Sequence, residues 1–323
     1  MNEMMKNEEI NIGTVNNETI SNEAASSKSV CSGPAYTDLL RERLDVVQQK
    51  IVAACAAAKR DPREVRLIAV TKTKSLEEIK PLLELEIYDW GENRCQEMLS
   101  KQAELTEFDL AAGPGKRAEI ELREAASENS GRPGQTQANV VADNPINWHL
   151  IGSLQKNKVK YAVGKTCLIH SVDSLELLLA INARAAKLAQ AGADAFCQPV
   201  LLEVNYSGET SKHGFAPTAI AEILSSLKPG DVSNIRIDGL MTVAPKDAAP
   251  AALIEIFNGV RNLRDHLNKS HPWSDTPELN KAVNLRELSM GMSHDYPLAI
   301  EAGATMIRLG TVLLGPRVIH PAE

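Results

Sequence analysis

The chain predicts an α/β fold, a single (β/α)8 TIM barrel with an extra N-terminal helix. Three observations carry this expectation. From residue 66 onward, eight short apolar runs alternate with helical patterns, which marks a parallel sheet. Eight is the number at which such a sheet closes into a barrel. A lysine ends the first run, and glycine-containing loops follow the seventh and eighth, where barrels of this kind build their sites. An open doubly wound sheet is the alternative architecture.

Taken in order, residues 1–35 are rich in Asn, Glu and Ser and hold no aromatic side chain. They cannot bury enough apolar surface to offset the entropy of ordering, so a disordered tail is expected. Tyr36 to Lys59 reads as an amphipathic helix: Leu39, Leu40, Leu44, Val47, Ile51 and Ala54 recur at helical spacing, with Thr37 as the cap. The strand runs are 66–71, 87–90, 147–151, 167–171, 198–205, 235–241, 283–288 and 304–309. Helical patterns are clearest at 173–191, 217–227, 247–267 and 293–302. The second and third strands start 60 residues apart, at 87 and 147, and the excess falls at about 107–146. That stretch holds Gly113-Pro114-Gly115, Gly131-Arg132-Pro133-Gly134 and a polar Gln135-Thr136-Gln137, with a short helix expected from Arg117 to Glu128. It is expected to be an exposed insertion in one domain spanning 36–323. Residues 268–281, with Pro272 and Pro277, read as another surface loop.

Composition excludes several classes. At 323 residues and 43% hydrophobic content, the chain can bury one large core. A net charge of −7 lacks the basic excess of a nucleic-acid binder. No apolar run approaches the ~20 residues that span a bilayer. No apolar segment follows Met1 as a signal peptide would require, and Glu3, Glu8, Glu9, Glu18 and Glu23 argue against a mitochondrial transit peptide. The five cysteines are scattered without a C-x-x-C pair, so neither a zinc site nor a disulfide framework is expected. A reducing cytoplasm fits that usage.

Lys72 closes the run Leu67-Ile68-Ala69-Val70-Thr71. An amine against a low-dielectric strand end can lose its proton near neutral pH and form a Schiff base with a carbonyl. By itself the position also suits a surface lysine that begins a loop. Ser289-Met290-Gly291-Met292-Ser293 follows the seventh strand, and Arg308-Leu309-Gly310-Thr311 closes the eighth. The loops after strands seven and eight commonly bind phosphate, with N–H donors at a helix start. Ser293 would donate its hydroxyl and N–H, and Gly310 and Thr311 further donors. Singly, Ser293 is equally a helix cap and Gly310 a turn glycine. Arg308 lies in the apolar run Met306-Ile307-Arg308-Leu309, where it either reaches a ligand in the barrel mouth or forms a buried salt bridge. Other strand ends carry Glu92 and Asn93, His149 with Gln155 and Asn157, Asn205 with Ser207, Lys212 and His213, and Met241-Thr242. Lys156, Lys158 and Lys160 suit a solvated face.

Together, the blocks Ala69-Val70-Thr71-Lys72-Thr73-Lys74, Gly91-Glu92-Asn93, Gln96-Glu97, Trp148 to Lys158, Glu203-Val204-Asn205 with Ser211-Lys212, Gly239-Leu240-Met241-Thr242, Leu288 to Ser293 and Arg308 to Thr311 resemble the pyridoxal phosphate homeostasis protein family (YggS/PROSC-like). The likeness covers about residues 36–317. It implies a barrel like the N-terminal domain of alanine racemase and a bound pyridoxal 5′-phosphate (PLP). Carried over by position, Lys72 would be the Schiff-base lysine. Ser293, Gly310 and Thr311 would hold the phosphate. Arg308 would face the pyridine nitrogen, and Asn93, His149 and Met241 would line the pocket. Arg94, Cys95 and His294 depart from the usual pattern, as do the insertion and the tail.

The resemblance implies a role in cellular PLP (vitamin B6) homeostasis with little or no turnover. The alternative is a PLP-dependent amino-acid racemase. A carboxylate at the ring nitrogen would make PLP a strong electron sink, whereas arginine only donates a hydrogen bond. Racemisation needs a second base, which in alanine racemase comes from a separate domain. No counterpart is expected in the stretch up to Glu323, which leaves Tyr206 and Tyr296 as the candidates. PLP-dependent apo-enzymes are expected partners, nucleic acid and membrane are not, and a monomer is expected. A cytoplasmic location is expected, and no metal.

Overall fold

The computed structural model describes residues 33–112, 146–192, 196–206, 213–274 and 276–316. The tail before Gly33, the 113–145 part of the expected insertion with its Arg117–Glu128 helix, and Ser207, Ser211 and Lys212 lie outside them. The first helix, α1, runs Pro34–Ala57 and begins earlier than the apolar pattern indicates. Pro34 at its first turn has the φ a helix start needs. Thr37 is not the cap. Gly33 holds the cap position without a side-chain bond, and Thr37 is buried inside the helix.

Eight strands follow: β1 Arg66–Val70, β2 Asp89–Glu92, β3 Asn147–Leu150, β4 Leu168–Val172, β5 Gln198–Glu203, β6 Ile235–Met241, β7 Val283–Ser289 and β8 Met306–Leu309. Each pairs in parallel with its sequence neighbour, and β8 pairs back to β1 with Arg66 opposite Met306 and Ala69 opposite Leu309. The barrel is therefore closed, and the open-sheet alternative is excluded. The strands read as apolar runs because helices cover their outer face and side chains fill the interior.

The helices between them are α2 Leu76–Ile79, α3 Pro81–Glu84, α4 Cys95–Ala112, α5 Val159–Ala162, α6 Leu175–Gln190, α7 Ile220–Ser226, α8 Pro250–Ser270, α9 Pro277–Ala282, α10 Tyr296–Glu301 and α11 Thr311–Leu314. Pro81 splits the first crossover into two short turns, because proline cannot donate within a helix. Ser174 caps α6 by accepting from Leu177 N, so the helix starts two residues inside the expected 173–191.

The expected surface loop at 268–281 is corrected. Helix α8 runs through Ser270, α9 starts on Pro277, and Trp273, Leu279 and Ala282 are buried in the main core. Proline breaks a helix interior but suits its first turn, and helix α9 packs against β6 and β7.

A separate apolar cluster joins Ile68 of β1, Leu168 of β4, Leu201 of β5, Met241 of β6 and Met306 of β8. Strands one and five lie across the barrel, so this contact runs through its interior. Because all strands are parallel, their C-terminal ends open on one rim. Among the described residues, no helix is long and apolar enough to cross a membrane.

Candidate functional site at the barrel rim

Lys72 follows β1 at the rim and is half-buried. Ile68 points inward, and Val70, two residues on, lies against Gly310 beyond β8. The lysine thus leaves the barrel wall beside the loops after β7 and β8. Asn93, also half-buried, follows β2. Its backbone is pressed against Gly152 beyond β3, where a Cβ would overlap the Asn93 carbonyl oxygen. Ser171 donates to the Gly152 carbonyl at 2.6 Å and holds that turn in place.

The loop after β7 turns at Gly291, whose φ is +95°; a Cβ there would come within 2.7 Å of the Ala299 Cβ. Asp295 accepts the Met292 N–H, and burial pushes its carboxyl up. The cap position of α10 is held by Asp295, without a side-chain bond into the helix, and not by Ser293. Ser293 instead accepts the Val312 N–H at 3.4 Å, which ties the loop after β7 to the turn after β8. Among the described residues, the backbone N–H groups of Ser293, Gly310 and Thr311 have no protein acceptor. These donors and the Thr311 hydroxyl lie within two adjacent loops, a donor set suited to an anion.

Arg308 is 4% exposed. Its Nη1 donates to Ser289 Oγ at 2.6 Å and its Nη2 to the Thr242 carbonyl at 2.9 Å. Among the described residues, no carboxylate forms an ion pair with it, so the salt-bridge alternative does not hold. Burial pulls Arg308 down to about 10, against the fields of Asp295 and Glu203 at the rim. It remains a cation at neutral pH.

Behind Arg308, a hydrogen-bonded chain crosses the interior. Ser289 Oγ lies 2.9 Å from His170 Nδ1, His170 Nε2 lies 3.0 Å from His149 Nδ1, and His149 Nε2 lies 3.0 Å from Asp89 Oδ1. Burial opposes a charge on His149, but Cys167 and Asp89 outweigh it and push His149 up to about 9. Burial, reinforced by His149, Arg308 and Arg66, holds His170 well below the usual histidine range. We therefore assign His149 as the cation. It donates to both Asp89 and His170, and His170 donates its Nδ1–H to Ser289.

The eight residues named from the sequence thus separate into two groups. Lys72, Asn93, Ser293, Gly310 and Thr311 lie at the rim, and Arg308 lies just beneath it. His149 is fully buried with both ring nitrogens taken, and it reaches the rim only through His170, Ser289 and Arg308. Met241 packs into the interior apolar cluster. Tyr296 is core, and the Tyr206 ring lies against Gly259 of α8, outside the barrel.

His170, Ser289 as a ligand of Arg308, and Lys101 escaped notice in the sequence. His170 could have been found as a polar residue two positions from inward-facing Leu168. Lys101 carries no local signal.

The family described as alanine racemase, N-terminal domain, matches residues 37–318. A pyridoxal phosphate homeostasis protein of Aquifex aeolicus is 34% identical over 276 residues, which cover 85% of this chain and 97% of that one. The chain belongs to the pyridoxal phosphate homeostasis protein family. Another family member, from Pseudomonas aeruginosa, is 34% identical over 278 residues, covering 86% and 96% of the two chains. PipY of Synechococcus elongatus, a COG0325 family member solved with PLP bound, superposes with a TM-score of 0.58 at 28% identity, over 85% of this chain and all of its own (100%).

Proposed function

We propose that this protein binds PLP at the barrel rim, carries it covalently on Lys72, and serves vitamin B6 homeostasis in the cytoplasm with little or no catalytic turnover. One observation carries the reading. Among the described residues, a strand-end lysine, a set of unclaimed N–H donors and a buried guanidinium without a carboxylate partner all lie at or just under one rim. They suit, in turn, an aldehyde, a phosphate and a ring nitrogen.

When bound, PLP supplies an aldehyde that a lysine amine can take up with loss of water. Ser293, Gly310 and Thr311 would hold the phosphate and Arg308 the ring nitrogen. Asn93 would line the opening, Met241 would form its apolar floor, and His149 would act at a distance through Arg308. Arg308 stays protonated at neutral pH and donates a hydrogen bond, so it cannot help protonate the ring as a carboxylate would. That weakens carbanion stabilisation and supports a carrier over a racemase. The Tyr206 ring packs against Gly259 of α8 and the Tyr296 side chain is buried in the main core, which weighs in the same direction. The carrier reading makes PLP-dependent apo-enzymes the partners, with the protein acting as a monomer.

The test is covalent trapping. After incubation with PLP and borohydride, the intact mass should rise by one reduced PLP, mapped to the Lys72 peptide, and Lys72→Ala should lose it. A wild-type protein that takes up no PLP would overturn the reading. So would exchange of the alanine Cα hydrogen for deuterium at ordinary enzymatic rates.

A further inference from the structure

The residues on either side of Lys72 are held from outside the barrel. Lys101, on α4, is buried, and its Nζ lies 2.8 Å from the Thr71 carbonyl, 2.7 Å from Glu92 Oε1 and 2.8 Å from Glu97 Oε1. Thr71 Oγ1 donates to the same Glu92 oxygen at 2.6 Å. Glu97 Oε1 accepts the Thr73 N–H. One ammonium and two carboxylates thus fix the residue before Lys72 and the residue after it.

The segment they fix is strained. Lys74 N donates to the Thr71 carbonyl at 3.2 Å, closing a four-residue turn with Lys72 second and Thr73 third. Thr73 has φ +63°, the left-handed conformation that a type II turn requires at this position and that normally selects glycine. A β-branched residue resists it. The Glu97 bond to the Thr73 N–H, with the Lys101 bond to the Thr71 carbonyl, holds the turn in that conformation.

The cluster is poorly built for stability alone. Glu92 is fully buried, its Oε2 has no hydrogen-bond partner among the described residues, and burial pushes its carboxyl up. Buried ion clusters of this kind contribute little net stability relative to apolar packing, but they specify geometry. Here the geometry specified is the path of the backbone through Lys72.

We propose that Lys101 and Glu97 are positioning residues for Lys72: they lock the Thr71–Lys74 turn so that the Lys72 amine meets an aldehyde held by the phosphate loops. The inference rests on the reading of Lys72 as the carrier of PLP. Neither residue touches the cofactor. Their loss separates two steps that wild type couples, anchoring at the phosphate loops and covalent capture at Lys72.

The experiment compares wild type, Lys101→Met, Glu97→Ala and Glu97→Gln. Equilibrium dialysis gives total PLP bound, rapid mixing with borohydride quenching gives the rate of covalent capture, and hydrogen exchange of the cofactor-free protein gives protection at Thr73. Lys101→Met and Glu97→Ala should bind PLP within about three-fold of wild type but capture it at least ~10-fold more slowly, since misplacing a reacting group by about 1 Å costs that much or more. Thr73 exchange should accelerate by a similar factor. Glu97→Gln keeps the acceptor oxygen and should restore Thr73 protection and most of the capture rate. If Lys101→Met does not fold, Glu97→Ala carries the test, since its partly exposed side chain leaves no buried hole. Folded variants with wild-type capture and wild-type Thr73 exchange would overturn this inference and leave the carrier reading intact. A wild type that takes up no PLP would overturn both.

Discussion

Raising the pH above neutrality should weaken this fold, and His149 sets the amount. In an unfolded chain a histidine titrates near 6.5. In the folded protein burial opposes the charge on His149, but Cys167 and the Asp89 carboxylate, 3.0 Å away, prevail and push it up to about 9. The folded value is the higher one, so the folded state holds a proton that the unfolded chain releases between those two values. The resulting stability is complete below pH 6.5 and is lost as pH rises through about 9. At about 1.4 kcal/mol per pH unit, the gap corresponds to about 3 kcal/mol, a large share of a typical domain's 5–15 kcal/mol. His170, the other neighbour of His149, is held down by burial and neighbouring cations, so it works in the opposite sense and costs stability only as pH falls below 6.5. Urea unfolding followed by tryptophan fluorescence at pH 6.5, 8 and 10 measures the effect. His149→Gln removes the titration and serves as the reference. The stability difference between wild type and His149→Gln should shrink by about 3 kcal/mol from the lowest pH to the highest. Parallel pH dependences in the two proteins would refute the assignment of a charged His149.

Two further outcomes follow from the geometry. Gly291→Ala forces a side chain into a +95° φ and against Ala299, and it should cost roughly 1–3 kcal/mol and weaken phosphate binding about ten-fold, read by denaturation and PLP titration. Ser289→Ala removes the acceptor shared by Arg308 and His170, leaving both donors buried, and it should cost about 1–3 kcal/mol in urea unfolding with little change in secondary structure by circular dichroism.

The strand positions were legible because buried parallel strands are short apolar runs between helical patterns. Where they were misplaced, a specific partner explains it. The second strand was expected at 87–90 and runs Asp89–Glu92. Ile87 looks like strand, but its N–H bonds Leu82 and its carbonyl accepts from Trp90 Nε1. Glu92 looks like loop, yet Lys101 receives its charge and lets the strand continue. Thr37 has the composition of a cap, but Pro34 starts the helix before it. Trp273 and Leu279 were hidden in a proline-bearing stretch that reads as loop and folds as core.

By itself, the sequence determined the barrel, the lysine at the end of its first strand and the glycine-bearing loops after its last two. Those features depend on local order along the chain: apolar runs, their spacing, and small residues where the backbone turns. Only the tertiary structure decided which polar groups work together. Closing the barrel brings His170 of β4 to Ser289 of β7, two strands that are not neighbours in the sheet, and makes His149 and Asp89 remote supports of Arg308. Packing α4 on the outer wall brings Lys101 to Thr71 and places an ion cluster behind Lys72. Such pairings depend on which side each strand residue faces and how the strands are staggered, and that information exists only once distant segments meet.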